Sequence, residues 1–530
     1  MKHKKILTIV LNGHHPFPSP GSSAGGRTPS GIVPEEACFF RALSETYLPL
    51  IEMLSRLENH SVPFRLGLVF SPLLCGMLRN EGLLCRYLAY LDKKIEFGKQ
   101  ETERRTEKPE RDLARYYYEA DVERRILFTE VCEMDILGVL NRLQKRGRLE
   151  ILSTAASYAF LPVYTPIPAL IHAQIETALL SHRRIFGKAP RGFWLPEFGW
   201  TGELEEYLRS YGFSYTMVSP HGLVLGKPQA ERGSFCGVKS LRGLCFLGRD
   251  HYAEEDLTSL RGQGAPVYRD SFSDIGFELP LGDLEPFVCA GGKRCPTGYH
   301  YRNRRNLFYD PEEARNRAAE GARLFLARRV SRLEEAGRYM EGDVLCLCAF
   351  DADRFGLAWY EGMIFLEELL RSAAASGDLE LLSPQDYLDS QDPGGFQTVL
   401  PEFSSWEEGG YAETWLDASN DWIYRHIFRA ARRMVEVSGR FPNDTGLKER
   451  ALNQAARELL LAMGSDWPKM LRRGINSEYA GNQIEEALKN FTDIYETLGS
   501  NYISTEWFTA LEKRHPVFPF INYRVFAKKK

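Results

Sequence analysis

Two carboxylates stand where apolar chain gives way to loop. Glu197 follows GFWLP and Asp351 follows VLCLCAF. Each preceding run reads as a strand buried on both faces, so each side chain would be held at a rigid strand end. Two such groups facing one cleft are what a catalytic carboxylate pair needs. Trp194, Phe198 and Trp200 frame Glu197. Apolar walls raise a carboxyl pKa, and flat rings stack on sugar faces. The plainer alternative makes Glu197 a helix cap and Asp351 a turn residue.

Other chemistries find less support. There is no HExxH, no Cys/His spacing for zinc and no CxxC. His14 and His15 with Asp351 could in principle hold a metal, but adjacent His side chains seldom converge. No GxGxxG follows a strand and no GxxxxGK[ST] exists.

The elements that must position the pair are seven apolar or β-branched runs. They are Lys5–Leu11, Arg65–Phe70, Leu149–Ser153, Gly192–Leu195, Tyr215–Val218, Val344–Phe350 and Leu379–Ser383. Helical patterns fill most gaps, including Pro168 to Phe186, stopped by Gly187, and about Pro311 to Ala336. This alternation predicts a parallel sheet, and seven units favour a distorted barrel. In such barrels chemistry sits at the C-terminal strand ends. That rim would also carry Asn12, His14 and His15, then Ser71, Ser157, Tyr158, Ser219 and His221.

We expect residues 1–400 to form the barrel and 401–530 a C-terminal all-helical domain. Residues of about 80–145 read as a helical insertion whose charge run is a solvated face. Residues of about 222–306 read as an irregular excursion. The chain has 530 residues, 44% hydrophobic and 26% charged, with a net charge of −4. That balance opposes a dedicated nucleic-acid or anionic-membrane binder. The apolar Ile6 to Leu11, after Lys2, Lys4 and Lys5, is too short for a signal-peptide core. The ten cysteines are scattered and read as reduced, buried thiols. A cytoplasmic location is expected.

The sequence resembles glycoside hydrolase family 57, and within it the α-1,4-glucan branching enzymes and their amylase-like relatives. GKAPRGFWLPEFGW resembles the family region that carries the nucleophile, here Glu197. CAFDADRFGLAWYEG resembles the region that carries the general acid/base, here Asp351. LNGHHPF with ETYLPLIEML, LVFSPLLCGML and SSWEEGGYAETWLDASNDWIYR match three further regions. RALNQAARELLLAMGSDWPKM resembles the family's C-terminal helical segment, and GRD with YRDSFSDIGFEL the branching-enzyme branch.

The resemblance implies an α/β fold, a distorted (β/α)7 barrel with a helical insertion, plus the C-terminal helices. It implies retaining double displacement on amylose or glycogen. A chain cut from an α-1,4 link would pass to a 6-hydroxyl. Glu197 and Asp351 would be catalytic. Asn12, His14, Trp194, Trp200, Arg249, Trp359, Trp406, Trp415 and Asp466 would bind glucan. It implies no metal, cofactor, nucleic acid or membrane partner, and leaves oligomeric state open. An amylase, a 4-α-glucanotransferase or a weakened glucan-binding protein remain alternatives.

Several positions depart from the family pattern. Asn12 replaces a His, Ser157-Tyr158 replace a Thr-His pair, and Phe198 replaces a Cys. Asp353 replaces a Glu, Arg354 a Leu, Leu357 a His and Ala358 a Trp. AERGSF (Ala230–Phe235) stands where branching enzymes are Tyr-rich. A lost hydrogen bond to a sugar costs about 0.5–1.5 kcal/mol, so subsite preference should change.

Overall fold

The central strand, β1 (Lys5–Gly13), has the sequence KILTIVLNG and is buried along nearly its whole length. A computed structural model describes residues 4–19, 34–284, 287, 294–407, 409–500 and 504–527. Lys2 and part of the 222–306 excursion (285–286 and 288–293) lie outside those residues.

Strands β2 (Leu66–Phe70), β3 (Leu149–Leu152), β4 (Gly192–Phe193), β5 (Tyr215–Val218), β6 (Val238–Lys239), β7 (Cys245–Gly248), β8 (Val344–Asp351) and β9 (Glu380–Leu381) follow. Parallel pairing runs β3-β2-β1-β8 in one sheet and β4-β5-β7 in another. Two parallel bridges join the sheets, Ser153 to Phe193 and Arg249 to Leu347. The ring β1-β2-β3-β4-β5-β7-β8 therefore closes into a barrel of seven parallel strands.

Closure corrects two strand assignments. The seventh ring strand is β7, a short Gly-ended segment inside the stretch read as irregular. The run read as the last strand, Leu379–Ser383, supplies only β9. It pairs Ile6 and Leu7 of β1, on the edge that β2 occupies higher up at Val10–Gly13. β1 and β8 pair directly from Lys5–Val344 to Asn12–Asp351, leaving no place between them for another strand.

Period-two alternation sorts the barrel's two faces. Ile6 and Val10 of β1 join Leu345, Leu347 and Ala349 of β8, Met217 and Leu247 in one buried cluster. Leu7, Ile9, Leu11, Cys346, Cys348 and Phe350 belong to another, shared with the surrounding helices. Continuing the inward alternation by one step puts Asn12 and Asp351 side by side at the rim.

The insertion forms helices Glu81–Arg104, Lys108–Ile126 and Ile136–Lys145. Its charge run is only partly a solvated face. Lys94, Glu101 and Asp121 are buried, because they bind the excursion. Tyr299 donates to Asp121 at 3.1 Å and Tyr301 to Glu101 at 3.2 Å. The excursion is also less irregular than expected, since it holds β6, β7 and a helix at His251–Gly264.

Helices Trp422–Arg440, Gly446–Ala462, Asp466–Arg473, Ser477–Ser500 and Thr505–Arg514 form the C-terminal region. Their apolar faces share one continuous buried cluster with the barrel's outer layer. Cys38 and Cys85 are exposed rather than buried, and Cys295 is disulfide-bonded rather than reduced. Among the described residues no helix is long and apolar enough to cross a membrane.

Candidate active site

Glu197 is placed by a tight turn. Pro196–Phe198 is a single helical turn in which Glu197 takes φ 56°, ψ 23°, and Phe198 also has positive φ at 51°. Consecutive non-glycine residues in the left-handed region store strain, a common feature of functional sites. The surroundings impose it, because Glu197 O accepts the Trp406 N–H at 2.6 Å and Phe198 N–H donates to Leu195 O at 2.9 Å. Glu197 caps no helix, and the Asp351 side chain caps none either.

Both carboxylates line one cavity of about 630 Å³ at the C-terminal rim of the strands. Asn12 ties the rim together, donating to Asp351 Oδ1 at 2.8 Å and to the Tyr158 hydroxyl at 2.8 Å. Trp194 Nε1 donates to the same hydroxyl at 3.1 Å. His14 stacks on the Tyr158 ring, 4.1 Å between centroids. Its Nδ1 lies 2.8 Å from Ser71 Oγ and its Nε2 2.8 Å from Asp466 Oδ2. One ring nitrogen thus faces Ser71 and the other Asp466, so the imidazole bridges the end of β2 and the C-terminal helix Asp466–Arg473.

The opposite wall comes from the helix Asp466–Arg473 and the loop at Glu407. Lys469 Nζ donates to Glu197 at 3.3 Å (Oε1) and 3.4 Å (Oε2), and lies 2.8 Å from Glu407 Oε1. Arg473 also holds Glu407 Oε1, at 2.7 Å.

Burial pushes the Glu197 carboxyl up to about 7; Lys469 opposes this, while Asp351, Glu407 and Asp466 add to it. Burial likewise carries Asp353 up to about 7, helped by Asp351 and Asp466. Asp466 moves the other way. Burial alone would raise it, but His14 and Lys469 hold it below its ordinary value.

Of the sequence candidates, Asn12, His14, Glu197, Asp351 and Asp466 meet in this cavity. The remaining six are packed behind it. Trp194, Trp200 and Trp415 are fully buried, so they cannot face glucan as placed. Trp194 backs Glu197 through Phe198, Trp200 packs on Phe246, and Trp415 stacks on Phe160 at 4.7 Å. Trp359 lies between Tyr268 and Phe365. Trp406 donates to Glu254, and Arg249 sits over the Trp406 ring at 4.8 Å. Large flat rings are also the best fillers of a core, and the motif pattern alone does not separate the two uses.

Sequence reasoning missed Lys469 and Glu407. Lys469 was detectable, because it lies one helical turn after Asp466 and so shares its face. Two carboxylates that follow Asp351 in the chain, Asp353 and Glu361, part company. Glu361 turns away to accept the Arg269 N–H at 2.9 Å. Asp353 lines the cavity, and its Oδ1 has no protein partner. Leu357 and Ala358 line it too, so aliphatic surface stands where the family pattern has His and Trp.

The chain is similar to known proteins in sequence and in fold. A model of glycosyl hydrolase family 57 matches residues 22–236. A model described as 1,4-alpha-glucan branching enzyme, C-terminal, matches residues 426–526. A 1,4-alpha-glucan branching enzyme of Thermococcus kodakarensis is 27% identical over 521 residues, 91% of this chain and 72% of that protein. The alpha-amylase AmyC of Thermotoga maritima superposes with a TM-score of 0.90 at 29% identity, covering 100% of both chains. A family 57 branching enzyme of Pyrococcus horikoshii has the same fold, with a TM-score of 0.87 at 24% identity over 99% of this chain and 97% of its own.

Proposed function

We propose that this chain, which matches the glycosyl hydrolase family 57 model over residues 22–236 and the branching-enzyme C-terminal model over 426–526, is a retaining 1,4-α-glucan branching enzyme of that family acting in the cytoplasm on amylose or glycogen-type glucan. The observation that carries this reading is the origin of the cavity walls. The barrel gives Glu197 and Asp351, while Asp466 and Lys469 come from the segment that matches the branching-enzyme C-terminal model. In this reading residues 1–400 form the catalytic part, and the helical part, 401–530, completes its cleft.

Glu197 attacks the anomeric carbon as Asp351 protonates the departing glycosidic oxygen. The carbon–oxygen bond to the leaving chain breaks, and a glucosyl ester forms on Glu197. Asp351, now ionised, takes the proton of an acceptor 6-hydroxyl. That oxygen displaces Glu197 and leaves an α-1,6 branch. Asn12 holds the proton carrier in place. Asp353 offers a carboxyl oxygen to a sugar hydroxyl.

Leu357 and Ala358 favour a second reading. Weaker polar gripping of an acceptor sugar would let water finish the reaction, as in an amylase. One assay separates the two. Purified protein is incubated with amylose beside a Glu197→Gln control, and reducing ends are counted before and after α-1,6-specific debranching. A rise seen only after debranching, and absent in the control, is the expected outcome. A direct rise with no further gain makes the protein a hydrolase. No change in either count leaves a 4-α-glucanotransferase, another substrate or a protein that binds without reacting, and chain-length profiling comes next.

A further inference from the structure

Lys469 contacts both oxygens of Glu197, yet no step above requires a cation there. Its side chain is about one-fifth exposed and reaches Glu197 from a helix far away in sequence. It is not committed to Glu197 alone, because Glu407 Oε1 takes its shortest ionic contact, at 2.8 Å.

The groups facing Glu197 come from several elements. Asp351 ends β8, and Asp353 follows it. Asp466 lies on the same helix as Lys469. The Tyr158 hydroxyl faces Glu197 from the loop after β3. All of these except Lys469 are acidic or neutral. His14 is bound to Asp466 and Ser71, and Arg473 to Glu407.

Resting on the reading of Glu197 as nucleophile, we infer that Lys469 is a positioning residue that keeps this carboxylate ionised and aimed, and that Glu407 sets how strongly it does so. An opposite charge within about 4–6 Å commonly lowers a carboxyl pKa by about 1–3 units. A nucleophile needs its negative charge, so the Glu197 proton governs the acid limb of the rate profile. When Glu197 carries the glucosyl ester it has no charge. Lys469 then favours its departure as a carboxylate in the second displacement.

Two substitutions act in opposite directions. Lys469→Met removes the cation, and the acid limb of kcat/KM on amylose moves up by about one pH unit or more. Activity falls about tenfold below the midpoint and recovers at high pH. Lys469→Arg keeps a cation and restores most of the wild-type profile. Glu407→Gln removes a competing anion, leaves Lys469 to Glu197, and moves the limb down. Loss of packing alone would lower activity at all pH values without reversing sign between the two variants.

Acid limbs of Lys469→Met and Glu407→Gln that stay at the wild-type position, or move together, overturn the inference. Glu197→Gln keeps the two claims apart. If it retains activity, the nucleophile assignment fails. If it is inactive while the Lys469→Met limb does not move, only the role of Lys469 fails.

Discussion

Beneath the helical insertion, buried charges meet opposite charges. Glu45 lies 3.2 Å from Arg269 and also faces Arg41, and Lys94 lies 3.1 Å from Asp121. Burial alone would raise Glu45, but Arg41, Arg269, Lys94 and His300 overrule it and bring the carboxyl down to about 2. The cavity at the barrel rim is built the other way. Glu35, Glu197, Asp351, Asp353, Glu407 and Asp466 line it against Lys469, Arg354 and Arg473. There Glu197 and Asp353 rise to about 7. The first cluster is balanced and fastens the insertion to the excursion. The second is left short of positive charge, the condition in which a carboxyl can exchange protons near neutrality.

The largest expected effect breaks the second cluster. Glu197→Gln lowers turnover of amylose by about 10³-fold or more, measured as new reducing ends after debranching, while the fold is kept. Wild-type activity rises with pH through about 7 as Glu197 ionises. An acid limb near 4.5 would remove the contrast between the clusters.

Breaking the first cluster acts on stability. Glu45→Gln strands the Arg269 guanidinium, and losing one partner of a buried pair costs about 3–5 kcal/mol. Denaturant unfolding at pH 7 measures it. The native Glu45 contribution is present above its ordinary value of 4.5 and fades as pH falls toward 2. The penalty should therefore shrink in acid.

Glu197 has the opposite sign. Its folded state binds the proton more tightly than the unfolded chain. Its contribution is therefore complete below 4.5 and lost as pH rises through about 7. Glu197→Gln should stabilise the protein by about 1–3 kcal/mol at pH 8 and change little at pH 5. Equal thermal shifts at both pH values would contradict this. The smallest effect sharpens the boundary of the site. Trp415→Phe loses core packing worth about 1 kcal/mol and leaves KM for amylose unchanged, since Trp415 is sealed against Phe160.

The residues that period-two strands deliver to the rim were legible in the sequence. Asn12 and Asp351 follow from alternation, and Glu197 from the apolar run before it. The count of seven strands was right, but through exchanging β7 for β9. A four-residue strand ending in glycine carries too little pattern to announce itself. The tryptophans misled because burial and sugar stacking ask for the same residue type. Lys469 and Glu407 reach Glu197 across long sequence separations, and only the docking of the C-terminal helices brings them together.

That docking has a consequence for the order in which the protein is made. A ribosome delivers Glu197 and Asp351 well before the Asp466–Arg473 helix. The nascent barrel can close, because its strands are complete once β8 and β9 have emerged. Until Ser465 N–H reaches Tyr158 O, at 3.3 Å, and Asp466 meets His14, the rim has one wall only. Chains arrested after the barrel would carry Glu197 and Asp351 without Lys469. The cleft is therefore complete only once the C-terminal helices have docked on the rim.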